Sequence, residues 1–333
     1  MPNDAPSFPA LDDFPEITTP LLPADGQARP RGRLSLHLGL FILTLITATL
    51  AGANFYASFL SDLGRRAVSL DLAVLTGGLW YSGTFLVILG AHEAGHYLYC
   101  RRYGLDVSLP YFIPLPPPFM TGTLGAVIRI RDPFRTRAEL FDVGIAGPFG
   151  GLIVLVPALF LGLSLSTVVP DNPQLDATYF GDPLMLQWAA SLVLGPVPDG
   201  STLNIHPIVW GCWFGMFATA LNLMPFGQLD GGHVVYAIFG DRVAAWVSVA
   251  TVVAGMLATT FISLAWAVPT GMLVVMWRLV GLHHPPPLNP YTPPDTTRRA
   301  LAAVGLLAFL LSVTPEPVHT VSLFEVLRDL LQH

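Results

Sequence analysis

The chain is poor in charge, has no lysine and carries two cysteines. Only 11% of its 333 residues are charged, against about 25% in ordinary soluble domains, which excludes a surface built to face water all round. All 16 basic residues are arginine, so any reading of topology from basic loops rests on arginine alone. Cys100 and Cys212 are far apart in apolar surroundings, which excludes the clustered, even set of a disulfide framework and leaves two packing residues. A net charge of −6 excludes nucleic acid as a partner, because that needs a basic face. No internal repeat of about 20–50 residues is present, so a solenoid is excluded.

What is there points to lipid as the solvent. Hydrophobic residues make up 53% of the chain, alongside 31 glycines and 31 prolines; such breakers at membrane depth mark interrupted helices that line a cavity. Residues 1–33 are rich in proline and acid and end in Arg29, Arg31 and Arg33, which predicts a disordered cytoplasmic tail rather than a signal peptide. Residues 34–60 contain no charged side chain and at 1.5 Å per residue exceed the ~30 Å hydrocarbon core, so they predict the first span. A second apolar segment, 72–100, contains Glu93 and two histidines, and ionisable groups inside a span demand a function.

Residues 111–128 are apolar but studded with Pro and Gly, which predicts a re-entrant β-hairpin protected by protein. Further spans are expected at 141–165, kinked near Pro148, and at 208–224. The segments 243–261 and 262–280 read as an antiparallel pair, and 301–313 as a short last span. Between them, 166–207 reads as an acidic loop with an interfacial piece at 184–194, and 322–331 as an amphipathic helix. The expected class is therefore an all-α polytopic membrane protein of about seven spans. Its expected parts are the tail, a membrane-embedded core over 34–280, a proline-rich linker over 281–299 and a C-terminal span with helix over 300–333. Arginine clusters at 29–33, 101–137, 242, 278 and 298–299 fall on one side if the N-terminus is cytoplasmic, as positive-inside bias expects.

Two stretches carry chemistry. His92-Glu93-Ala94-Gly95-His96 is an H-E-x-x-H element: on a helix it puts two imidazoles on one face with a carboxylate beside them, a pattern suited to zinc. Catalytic zinc takes three protein ligands and keeps one position open. The second stretch, Asn222 to Gly232, contains Pro225, Gly227, Asp230 and a Gly231-Gly232 pair. Alone, Asp230 reads equally well as the cap of a following helix; beside His92 and His96 it completes a zinc site. Glu93 would act as general base. Asn222 would donate to a developing oxyanion, or simply tie two helices together. His233 would stand behind a ligand, but a plain packing role is favoured for it, as for His206, His283 and His284.

Taken together, these two stretches resemble the paired signatures of the site-2 protease family of intramembrane metalloproteases. Gly122-Thr123-Leu124-Gly125-Ala126 and 138–148 are similar to the branch found in cyanobacteria and chloroplasts. The resemblance covers roughly residues 80–240. It implies His92, His96 and Asp230 as Zn2+ ligands, Glu93 as catalytic base, and a hairpin whose Gly122, Thr123, Leu124 and Gly125 bind unwound substrate as an added strand. The PDZ and CBS domains of many relatives have no room here. The partners so implied are transmembrane protein substrates and membrane lipid, with a homo-oligomer left open and no soluble small-molecule cofactor. The implied location is an integral membrane protein of a bacterial inner membrane with its site toward the cytoplasm. Two rival readings remain: a transporter, whose proton relays also use intramembrane Glu, Asp and His, and an inactive scaffold that keeps the metal site.

Overall fold

A computed structural model describes residues 33–171 and 180–332, together with their backbone elements. The expected tail lies outside the described residues, apart from Arg33. Among the described residues there are eleven α-helices: α1 (Leu34–Leu60), α2 (Leu72–Gly77), α3 (Leu79–Arg102), α4 (Arg137–Ser164), α5 (Leu184–Val193), α6 (Pro207–Leu223), α7 (Asp230–Phe239), α8 (Asp241–Phe261), α9 (Ala267–Val280), α10 (Thr296–Ser312) and α11 (Leu323–Gln332). Four helical stretches are long and apolar enough to cross a membrane: 34–60, 72–102, 137–164 and 241–261. The protein is thus mostly helical with four candidate spans; α5, α6 and the 264–280 stretch are apolar but shorter.

The helices start where the sequence supplies acceptors for their free N–H groups. Asp71 accepts from Val74 N at 2.9 Å and Asp295 from Arg298 N at 2.9 Å. At α4, Thr136 Oγ1 accepts from Glu139 N while the Glu139 carboxylate reaches back to Arg135 N at 2.7 Å, close to a reciprocal capping box. α4 then runs on through Pro148 and Pro157. The expected antiparallel pair is present as α8 and α9, but the second member is shortened. Ser263 is extended and caps a 3-10 turn, Leu264–Trp266, before α9 begins.

Two hairpins flank the bundle. β1 (Tyr111–Pro114) pairs antiparallel with β2 (Thr123–Val127), in register Tyr111↔Val127 and Phe112↔Ala126, with an irregularity at Ile113/Pro114. The strand pairing expected within 111–128 is therefore present, and α1 holds it: Thr47 Oγ1 donates to Gly122 O at 2.7 Å, and His37 Nδ1 bonds Pro110 O at 3.0 Å. The second hairpin, β3 (Thr167–Pro170) with β4 (Ser201–Asn204), was expected only as loop. Two four-residue strands ending at Pro170 and next to Gly200 carry too little alternation to be read locally.

The centre of the fold is the stack of α3, α4 and α6. Tyr81, Phe85, Ile88, Leu155, Leu159, Val209, Cys212 and Met216 form its buried core. α3 and α4 meet on glycine: a Cβ at Gly95 would strike the Ala146 carbonyl, and one at Gly150 the Ala91 carbonyl. Such contacts let backbones approach where lipid gives helices no hydrophobic reason to associate.

At one end of the bundle, Arg298 of α10 grips Asp142 of α4 with Nε at 2.8 Å and a terminal nitrogen at 2.7 Å, and the Tyr103 hydroxyl closes the group. Arg298 is 25% exposed and Asp142 13%, so breaking the pair costs less than the 3–5 kcal/mol of a fully buried one, about 2 kcal/mol. Asp142→Ala is expected to lower the thermal midpoint in detergent, read by intrinsic fluorescence. An unchanged midpoint would show that the pair contributes nothing.

Candidate metal centre

His92, Glu93 and His96 lie near the end of α3, where a four-residue separation stacks both imidazoles on one side. All three are buried, at 5%, 6% and 7% exposure. The chain returns to them from α6. After Leu223 the helix stops at Met224, which is extended, and Gly227 takes a left-handed φ of 49° before α7 opens at Asp230. Gly231 and Gly232 allow the turn to close. A Cβ on Gly231 would run into the Leu223 and Met224 carbonyls, and one on Gly232 into those of Phe226 and Gly227. Asp230 does not cap α7 through its side chain, for Leu229 holds the N-cap position and no side-chain cap bond is present. Its carboxylate points instead at the histidines.

The resulting geometry is a small triangle. His92 Nε2 and His96 Nε2 are 3.1 Å apart, and Asp230 Oδ2 lies 3.2 Å from the first and 3.3 Å from the second. Zinc bound tetrahedrally at about 2.0 Å from each donor sets donor–donor edges of about 3.3 Å. The three edges match one face of that tetrahedron, and two imidazoles with one carboxylate are ligands that zinc accepts. Among the described residues, no other group of three His, Cys, Asp or Glu is gathered this way.

Backbone groups orient the donors. His96 Nδ1 donates to Val143 O at 2.7 Å, which leaves Nε2 with its lone pair toward the triangle. Gly147 makes room for the ring, because a Cβ there would overlap the His96 imidazole. Asn222 Nδ2 sits 3.3 Å from His92 Nε2, so its amide stands at the edge of the triangle. The backbone N–H of Ile128, one residue beyond β2, faces the Glu93 carboxylate within electrostatic reach.

The expected hairpin residues are less directly engaged. The hydrogen bonds of Gly122, Thr123 and Gly125 stay within the hairpin and α1. Leu124 is 70% exposed, and the tie to Glu93 is made by Ile128. Sequence reasoning missed that tie, and it missed Val143 and Gly147, because nothing local links these positions to the motif.

Two histidines read as plain packing residues prove to be paired. His233 Nδ1 lies 2.7 Å from His284 Nε2, and His284 Nδ1 donates to Pro285 O at 2.6 Å. Burial lowers the His284 pKa below that of a free imidazole, so this residue, on the proline-rich strap between α9 and α10, stays a neutral acceptor for His233. Leu288 N and Asn289 N bond Phe134 O and Arg135 O at 3.0 and 2.8 Å, which fastens the strap against the start of α4. The signal available was a His-His pair inside a proline run. His206 caps α6, accepting from Ile208 N at 3.3 Å, and His283 pairs with Asp241 at 2.9 Å.

Comparison with known proteins bears on this arrangement. The chain is 33% identical over 239 residues to the probable zinc metalloprotease EGY1, chloroplastic, of Arabidopsis thaliana, covering 69% of this chain and 41% of that protein. It is 31% identical over 179 residues to the probable zinc metalloprotease EGY2, chloroplastic, of Oryza sativa subsp. indica, covering 54% and 32%. To the probable zinc metallopeptidase EGY3, chloroplastic, of Arabidopsis thaliana it is 28% identical over 246 residues, covering 68% and 41%. The alignments thus span about two fifths or less of these relatives' own length. These relatives are named as chloroplastic, so the expected bacterial inner membrane finds no support in them. The family model for peptidase family M50 matches residues 80–266, more than half of the chain and inclusive of His92, Glu93, His96 and Asp230: the chain belongs to peptidase family M50, the site-2 proteases.

Proposed function

We propose that this chain is a zinc metalloprotease that hydrolyses peptide bonds of transmembrane protein substrates. The observation that carries the reading is the triangle of His92 Nε2, His96 Nε2 and Asp230 Oδ2 at 3.1–3.3 Å with the Glu93 carboxylate buried beside it. Zinc bound there supplies Lewis acidity, polarising a carbonyl and lowering the pKa of water to about 7.

The chain's own groups supply the rest. A Glu93 oxygen takes the proton from the attacking water and passes it to the leaving amine. The Asn222 amide, next to His92, donates to the oxygen on which negative charge develops. β2 is paired on one side by β1, and beyond its end the Ile128 N–H faces Glu93. A substrate segment unwound from its helix can add along the other side of Gly122-Thr123-Leu124-Gly125, held by main-chain hydrogen bonds. Unwinding is required because a helical substrate hides its carbonyls in its own backbone bonds.

The same reading sets the topology. The four long candidate spans are joined by α6, the 264–280 stretch and α10, giving seven crossings with the hairpin re-entrant. At 1.5 Å per residue the 17 residues of α6 reach about 25 Å, short of the ~30 Å core, which suits helices that stop at a cavity. Arg33, Arg101, Arg102, Arg137, Arg242, Arg278, Arg298 and Arg299 then share one face, the cytoplasmic one or its organellar equivalent. Arg65 reaches the Pro170 and Asp171 carbonyls on the other face.

The test is metal-dependent cleavage. Purified chain in liposomes is expected to cut a single-span substrate, to lose all cleavage on chelation and to regain it with one zinc per chain. Zinc-driven metal uptake into the vesicles without cleavage would favour a transporter, and bound zinc with neither activity would favour a scaffold.

A further inference from the structure

α7 has two working faces. One carries Asp230 and His233; the other, with Val234 and Ile238, lines an apolar groove of 450 Å³ closed on its far side by Ala302, Gly305, Leu306 and Phe309 of α10. The groove lies between elements that position the metal, yet no ligand atom lines it. Its outer lips, Phe239 and Leu306, are 62% and 59% exposed, so it opens sideways to lipid.

The mouth of the groove is basic. Arg299 lines it at the first turn of α10. Arg137 is fixed on α7 by Nε donating to Ala237 O at 2.7 Å and stands within electrostatic range of Arg299. Neither arginine has an ion pair among the described residues, whereas Arg298 is already matched by Asp142 and Asp295. Two like charges that feel each other and have no counter-ion favour an anion near them.

The dimensions choose the occupant. From Arg299 to Phe309 the lining runs about 15 Å at 1.5 Å per residue, half the ~30 Å hydrocarbon thickness and so one leaflet deep. A groove of that depth, apolar along its length and open to lipid at its side, suits an extended hydrocarbon chain. On the topology proposed above the mouth faces the cytoplasmic side, where basic pockets beside spanning helices are a known setting for anionic lipid headgroups.

We propose that this groove binds one acyl chain of an anionic phospholipid whose phosphate is held by Arg299 and Arg137. The small side chains at 302, 303 and 305 are then what makes room for it.

Native mass spectrometry of the full chain, released from nanodiscs of equal parts phosphatidylglycerol and phosphatidylcholine, tests this without reference to proteolysis. One phosphatidylglycerol per chain is expected to remain. Arg299→Gln should cut its retention by about fivefold, the worth of one interfacial arginine. Ala303→Trp, at an exposed groove position, should cut it similarly by filling the channel. Unchanged zinc content and thermal midpoint in both variants would exclude misfolding as the cause, and if either shifts, Ala303→Leu and Arg299→Met repeat the comparison. Glycerol phosphate, which lacks the chain, should not compete. Equal retention of phosphatidylcholine, unchanged retention in both variants, or displacement by glycerol phosphate alone would each overturn the proposal. So would a Cys placed at 303 that cross-links to a peptide substrate rather than to lipid.

Discussion

Replacing Glu93 by glutamine is expected to lower cleavage of a reconstituted membrane substrate by about 10²–10⁴-fold, the usual worth of a positioned proton-transfer group, while one zinc per chain remains bound. The amide is nearly the same size as the carboxylate and can keep its oxygen toward the Ile128 backbone N–H that faces the carboxylate. It cannot accept the proton of the attacking water. Glu93 is separate from the three gathered ligand atoms, so the substitution removes a base and leaves the donor set whole. Metal analysis by mass spectrometry, run beside a cleavage assay on the same preparation, separates the two effects. Full activity in the variant would reject Glu93 as base; loss of zinc along with activity would show that the carboxylate supports the metal instead.

Gly147→Ala is expected to weaken zinc binding by about 10–100-fold, the range for groups that orient a ligand without touching the ion. The methyl group would occupy space held by the His96 ring. That ring cannot simply step aside, because its Nδ1 is tied to Val143 O at 2.7 Å and its Nε2 is 3.1 Å from His92 Nε2. The displaced ring would open the triangle on one edge. Competition with a chelator of graded strength reads the affinity directly. A variant that holds zinc as tightly as the parent would mean that α4 can retreat from α3 at little cost, against the close carbonyl contacts at Gly95 and Gly150.

How much was legible in sequence follows from how local each signal was. Residues 34–60 were read as a span with the boundaries α1 has, because an uncharged run bounded by Arg33 and Asp62 is self-contained information. The H-E-x-x-H spacing fixes two imidazoles on one helical face without outside help. Asp230 was reachable only because a second broken helix end, marked by Pro225, Gly227 and the glycine pair, needed an explanation of its own. What stayed hidden was contact between segments with no shared period: the Ile128 N–H on Glu93, the His233–His284 pair, and β3 with β4. His233 and His284 are 51 residues apart, and a proline-rich strap carries no periodicity from which its docking point can be read. Breakers in sequence say where a chain turns; they do not say what it turns toward.

The bond from His96 to Val143 reaches a carbonyl oxygen in the main chain of α4, and every amino acid offers that same oxygen. A residue at position 143 can therefore drift through exchanges of similar bulk and the imidazole keeps its tautomer. Alanine scanning there would report the side chain lost from beside Cys100 and Leu105 and miss the bond, as would any comparison that weighs side-chain identity. Part of what tunes this centre is written in the path of the polypeptide, where no codon records it separately.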